Sequence, residues 1–99
     1  MQVRHGDVMI ESSDSIPFRN RKLKHLILAH GEITGHSHRI KERDAAFLFE
    51  TPKGLYLRVT SEHATVIHEE HHDIVLPKGD YRVWRQREYS PEEIRVIRD

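Results

Sequence analysis

With 99 residues and sixteen basic side chains matched by sixteen acidic ones, the chain has room for one small domain and no net charge to draw it to nucleic acid or a membrane surface. It has no cysteine, which excludes disulfides, thiolate zinc sites and thiol catalysis. No apolar stretch approaches the ~20 residues of a membrane span, and Met1 to Ile10 lacks the apolar core of a signal peptide, so the expected compartment is the cytoplasm.

Gly6-Asp7 leads into Val8-Met9-Ile10, which reads as the first strand. Ser12 to Asn20 is polar and carries Pro17, so it is a loop, and Arg19, Arg21, Lys22 and Lys24 form a solvated basic lead-in. Leu26-Ile27-Leu28-Ala29 is wholly apolar, as a strand buried on both faces would be. Gly31 and Gly35 then mark a tight turn or a close backbone approach. His36-Ser37-His38-Arg39-Ile40 alternates in the strand manner. Residues 45–50 and 55–59 flank Thr51-Pro52-Lys53-Gly54 and read as a hairpin. Further strands are expected at 65–68, 73–76 and 81–86, with a turn at Pro77-Lys78-Gly79-Asp80 before the last. Ser90-Pro91-Glu92-Glu93 has the form of a helix start, with only six residues to follow. These short runs predict an all-β fold: a single domain over 1–99, an antiparallel sandwich or barrel with a short C-terminal helical turn.

Histidine is where the composition departs from the ordinary, at nine of 99 residues. Residues i and i+2 of a strand project from one face, so His36 and His38 point together into one space. Zinc and divalent iron accept neutral imidazole nitrogen well, and a divalent transition metal of that kind is the expected cofactor. A second patch, His68-Glu69-Glu70-His71-His72, supplies further imidazoles. A straight strand places His68, Glu70 and His72 on one face; a bulge or turn brings His68 and His71 together instead. Sequence leaves both open. The expected metal ligands are therefore His36 and His38 with His68 and either His71 or His72. Glu32, Glu70 or Glu42 would serve as ligand or general base of a small metalloenzyme. Gly35 is expected to let the ligand strand approach closely. His5, His25 and His63 read as surface or satisfied core residues, and changing His5 or His25 should leave metal binding intact.

Gly31, His36-Ser37-His38 and Glu42 together resemble the first cupin motif, and Pro77-Lys78-Gly79 the turn of the second. That resemblance implies a cupin-like β-barrel. It departs at Arg82, where a cupin carries its last histidine ligand. Nearly the full length also resembles a family of small uncharacterised bacterial and phage proteins. The likeness is carried by Gly6-Asp7-Val8, Gly31 to Arg39, Leu55-Tyr56-Leu57, His68-Glu69-Glu70-His71, Leu76-Pro77, Gly79, Tyr81 and Gln86-Arg87-Glu88-Tyr89. It implies no activity.

Two other functions compete. One is a metal-independent nuclease or RNA-binding module, since Tyr81, Arg82, Trp84, Arg85, Arg87 and Tyr89 interleave rings with cations. Strand alternation splits that patch between two faces, with Tyr81, Val83 and Trp84 serving the core and the arginines lying outside. The other is a non-catalytic assembly or accessory protein, a homodimer joined through edge strands.

Overall fold

The structure is a computed structural model that describes residues 1–86; the helical turn expected at Ser90 to Glu93 lies outside the described residues. Eight strands follow one another: β1 Gln2–His5, β2 Val8–Ser13, β3 Arg21–Lys22, β4 Ile27–His30, β5 Ser37–Ile40, β6 Ala46–Thr51, β7 Gly54–His68 and β8 His71–Arg85. All pairings are antiparallel and belong to one sheet, in the order β1-β2-β8-β7-β5-β4, with β6 also on β7 and β3 on β6. The expected all-β antiparallel architecture is what forms, curled into a half-barrel.

Two 15-residue strands, β7 and β8, make the curl. Each runs through stretches that the sequence divides into separate short strands. The division comes from a change of parity. Leu57 and Val59 face the core before the bend, Ala64 and Val66 after it, and on β8 the change falls between Leu76 and Tyr81. In the ladder, Val59 opposes Gly79 and His63 opposes Pro77, so three residues of β7 face one of β8. A bulge of this kind bends both strands and swaps faces without ending the pairing. Pro77-Lys78-Gly79-Asp80 is therefore the bend of a continuous strand and not the expected turn, and the Tyr81 hydroxyl braces it by donating to the Pro77 carbonyl.

The bend gives β7 two sets of neighbours. Its first half pairs with β6, its second with β5 at Arg39↔Ile67 and Ile40↔Val66. The core lies in the concavity: Val8, Ile10, Leu48, Leu57, Val59, Ala64, Val66 and Leu76 are all essentially inaccessible. The basic lead-in contributes β3, where Arg21 pairs with Glu50 and Lys22 lies 5.0 Å over the Phe47 ring. Strand β1 was not expected, being mostly polar, and its return through Gly6-Asp7 places His5 beside the far end of β8. Among the described residues no helix is long and apolar enough to cross a membrane.

Candidate metal centre

Three parts of the chain meet where the half-barrel closes: the β1–β2 turn, the start of β5, and the tip of the β7–β8 hairpin. The tip decides between the two geometries left open above. Val66 opposes Ile74, and a straight register from there would set His68 against His72. A one-residue shift intervenes, and His68 opposes His71. The two rings consequently lie 4.6 Å apart between centroids, and both face the His38 ring, at 4.4 Å from His68 and 5.5 Å from His71.

His38 and His5 form the inner part of the cluster. They are 3% and 2% exposed, their Nδ1 atoms are hydrogen-bonded at 2.8 Å, and His5 Nε2 donates to the His72 carbonyl at 2.8 Å. Burial removes water from a charged ring and so lowers its pKa. His38 is pushed down to about 4 by burial first and by the neighbouring His68 and His5 next, against a smaller opposing pull from Asp7. His5 is also lowered, burial outweighing the His72 carbonyl. Both rings are neutral at pH 7.

The tip is more open. His68 is half-buried and His71 exposed, and desolvation, then His71, lowers the His68 pKa. His68 Nδ1 accepts the Glu70 amide at 2.9 Å. Glu69 ties the tip to β5 by accepting the Ser37 amide at 3.1 Å and Arg39 at 2.9 Å. Its own amide, then the Ser37 amide and Arg39, outweigh desolvation and hold its carboxyl below the usual range. His36 pairs through Nδ1 with Glu70 at 2.8 Å.

Two groups of donors lie within 4.8 Å of one another: His38, His68 and His71, and His36, His68 and Glu69. The Glu69 carboxylate of the second group is already engaged by Ser37 and Arg39, which leaves the three histidines as the better metal donors. Zinc–nitrogen bonds of ~2.0–2.1 Å put tetrahedral ligand atoms roughly 3.3 Å apart, so the three must close by up to about 1.5 Å. Two glycines press on the rings. A Cβ at Gly6, whose φ is +63°, would sit 2.8 Å from His71 Nε2 and 2.9 Å from a His38 carbon; one at Gly31 would sit 3.1 Å from His68 Nε2. The histidines border an open cleft of about 700 Å³, together with Arg4, Asp7, Glu32, Glu70 and Arg85. Asp7 holds Arg85 at 3.1 Å through one oxygen and stands 3.7 Å from His38 Nε2 through the other. Were a metal held by these three imidazoles, it would supply Lewis-acid chemistry to whatever enters the cleft.

The expected residues thus divide. His38, His68 and His71 come together. His36, two residues from His38, turns to Glu70 and meets the group only across the perpendicular His68 ring at 5.7 Å. The His72 side chain is exposed, and the residue enters through its carbonyl. Glu32 and Glu70 border the cleft, whereas Glu42 accepts the amide and hydroxyl of Thr65 at 2.7 and 2.6 Å. Gly35, at φ +88°, has nothing within 4 Å of an added Cβ; it serves the turn, and the close approaches belong to Gly6 and Gly31. His5, read as a bland position, is a satisfied core residue whose hydrogen-bond partner is a candidate ligand. The available signal was that Val3 and His5 alternate before a Gly-Asp turn. On β8, Tyr81 and Val83 are core, while Arg82 stacks 4.7 Å over Trp84 on the other face; Arg87 and Tyr89 lie outside the described residues.

No curated protein and no solved structure matches the chain significantly. A family model does, and it bears on the likeness to a small uncharacterised family; nothing in these matches extends that likeness to phage proteins or to cupins. The chain belongs to the family described as Domain of unknown function (DUF8820), whose model matches residues 4–86 and so spans the whole histidine cluster, from His5 to His72.

Proposed function

We propose that this domain binds one divalent transition metal, zinc or iron, through His38, His68 and His71, and presents it to the cleft for metal-assisted chemistry on a small molecule. The observation that carries this reading is the convergence of three imidazoles from β5, β7 and β8 with donor atoms within 4.8 Å of one another. The buried one is neutral at pH 7, as a ligand must be. Glu32 and Glu70 line the cleft beside the three histidines, and in this reading either would act as general base beside a bound metal.

Protein purified without nickel resin, stripped with chelator and titrated with Zn²⁺ and Fe²⁺ by calorimetry, should take up one equivalent. His71→Ala should remove that binding while the domain stays folded, because His71 is exposed. Wild-type protein that takes up neither metal, or a His71→Ala variant that binds as wild type does, sinks the assignment.

A further inference from the structure

We infer that His5 is a positioning residue that fixes the tautomer of His38, holding the His38 hydrogen on Nδ1 and leaving a bare Nε2 toward the cleft. Its use rests on the metal-binding reading; its derivation does not.

The argument starts at the His72 carbonyl, which can only accept. The hydrogen in the 2.8 Å contact with His5 Nε2 therefore belongs to His5. A second hydrogen on His5 Nδ1 would make an imidazolium at 2% exposure, flanked by other histidines and hydrogen-bonded at Nε2 only to a neutral carbonyl. His5 Nδ1 is thus a lone pair. The 2.8 Å contact between the two Nδ1 atoms then requires the hydrogen to sit on His38, because two lone pairs at that distance would repel. A neutral His38 has one ring hydrogen, so its Nε2 is left bare. That atom lies 3.7 Å from Asp7 Oδ1, beyond hydrogen-bond reach.

In water a neutral histidine ring favours the hydrogen on Nε2. The relay from the His72 carbonyl through His5 to His38 reverses that preference. Metal-ligating histidines usually have their second nitrogen held by a carboxylate, a carbonyl or water. Here a second histidine does so and passes the demand to a backbone carbonyl of β8. The same two hydrogen bonds join β1, β5 and β8, so closure of the sheet and the choice of tautomer are one arrangement.

The test uses the full chain with ¹⁵N-labelled histidine. Long-range ¹H–¹⁵N spectra at pH 7 without metal should show His38 with a pyrrole-type Nδ1 and a pyridine-type Nε2. His5→Gln, whose amide can accept from His38 and donate to His72, should keep that pattern and bind Zn²⁺ within a few-fold of wild type. His5→Phe keeps bulk and removes both bonds; it should return His38 toward the Nε2–H form and weaken Zn²⁺ roughly 10- to 100-fold. If His5→Phe fails to fold, the wild-type and His5→Gln spectra decide. A hydrogen on His38 Nε2 in the metal-free wild type overturns the inference, as does a folded His5→Phe whose His38 pattern and Zn²⁺ affinity are unchanged. The expected wild-type pattern in a protein that binds no metal would sustain the role of His5 and remove the function proposed above.

Discussion

His38 and His68 stand 4.4 Å apart between ring centres, yet they reach the cluster in different ways. His38 is enclosed by β1, β5 and β8, and its Nδ1 is engaged by another buried ring. His68 sits on the hairpin tip, and its Nδ1 is engaged by the Glu70 amide of its own turn. In a neutral ring that bond places the His68 hydrogen on Nε2. A metal needs a lone pair, so to serve as the proposed ligand His68 would have to release the Glu70 amide or lose its remaining proton. The inner rings are held by hydrogen bonds between elements far apart in the chain, the tip ring by a bond within its own turn. On the proposed metal-binding reading, the difference means that the buried rings would define where an ion sits and the tip would close onto it. On zinc addition, the Glu70 amide should therefore show one of the largest shifts in an NMR titration, while the His5 side-chain resonances move least.

The largest effect that would break or sharpen this contrast is expected at His38. His38→Ala removes a proposed ligand and leaves the buried His5 Nδ1 without its partner, which costs about 1–3 kcal/mol even without metal. At about 4–8 °C per kcal/mol for a domain of this size, the metal-free Tm should fall clearly. His71→Ala should lose zinc equally while the metal-free stability changes by less than about 0.5 kcal/mol, because the side chain is exposed. Equal metal-free Tm values for the two variants would show that inner and tip rings are not held differently. Gly6→Ala comes next. Its positive φ and the 2.8 Å approach to His71 Nε2 mean that a methyl must displace ring or backbone. Strain of about 1–3 kcal/mol is the expected cost, with zinc weakened alongside. A Gly6→Ala protein with unchanged zinc affinity would mean that the β1–β2 turn does not confine the site.

The fold was legible in sequence where side chains alternate over a buried face, and less so where the backbone carries the information. The apolar runs located the cores of β2, β4, β5 and β6. The bend was not legible, because a bulge swaps the buried parity midway and makes one strand look like two. The histidine patches were legible as composition, and of the His36-Ser37-His38 run it is His38 whose ring meets those of His68 and His71. The choice of His71 over His72 depends on a one-residue register shift that no side-chain pattern announces. His5 was legible only weakly, since its importance lies in closing β1 against β8, a contact between residues 67 apart in sequence.

A smaller effect is expected at the latch that ties the tip to β5. Glu69→Ala removes the acceptor of the Ser37 amide and the partner of Arg39. A solvent-screened pair of this kind adds little to folding, so the metal-free Tm should barely move. Zinc affinity should fall by up to about tenfold, since the tip loses its tether. A zinc affinity equal to wild type would show that the hairpin tip finds its place without β5.

The smallest effect separates the two ends of β5. Just beyond its far end Glu42 accepts the Thr65 amide and hydroxyl, well away from the cleft-lining residues. Desolvation pushes the Glu42 pKa up, but the two bonds from Thr65 outweigh it, and the carboxyl ends below its ordinary 4.5. A carboxyl with a lower pKa in the folded state binds fewer protons there than in the unfolded chain, so its contribution is present above about pH 4.5 and is lost as pH falls through the folded value. Glu42→Gln lacks the charge and should flatten the acid side of the stability curve. Denaturant midpoints of wild type and Glu42→Gln should differ most above pH 5 and converge towards pH 3, with zinc affinity at pH 7 the same in both. Parallel curves over that range would remove the titration of Glu42 from the account. A drop in zinc affinity in Glu42→Gln would mean that β5 transmits strain along its length, and the separation between its site end and its folding end would fail.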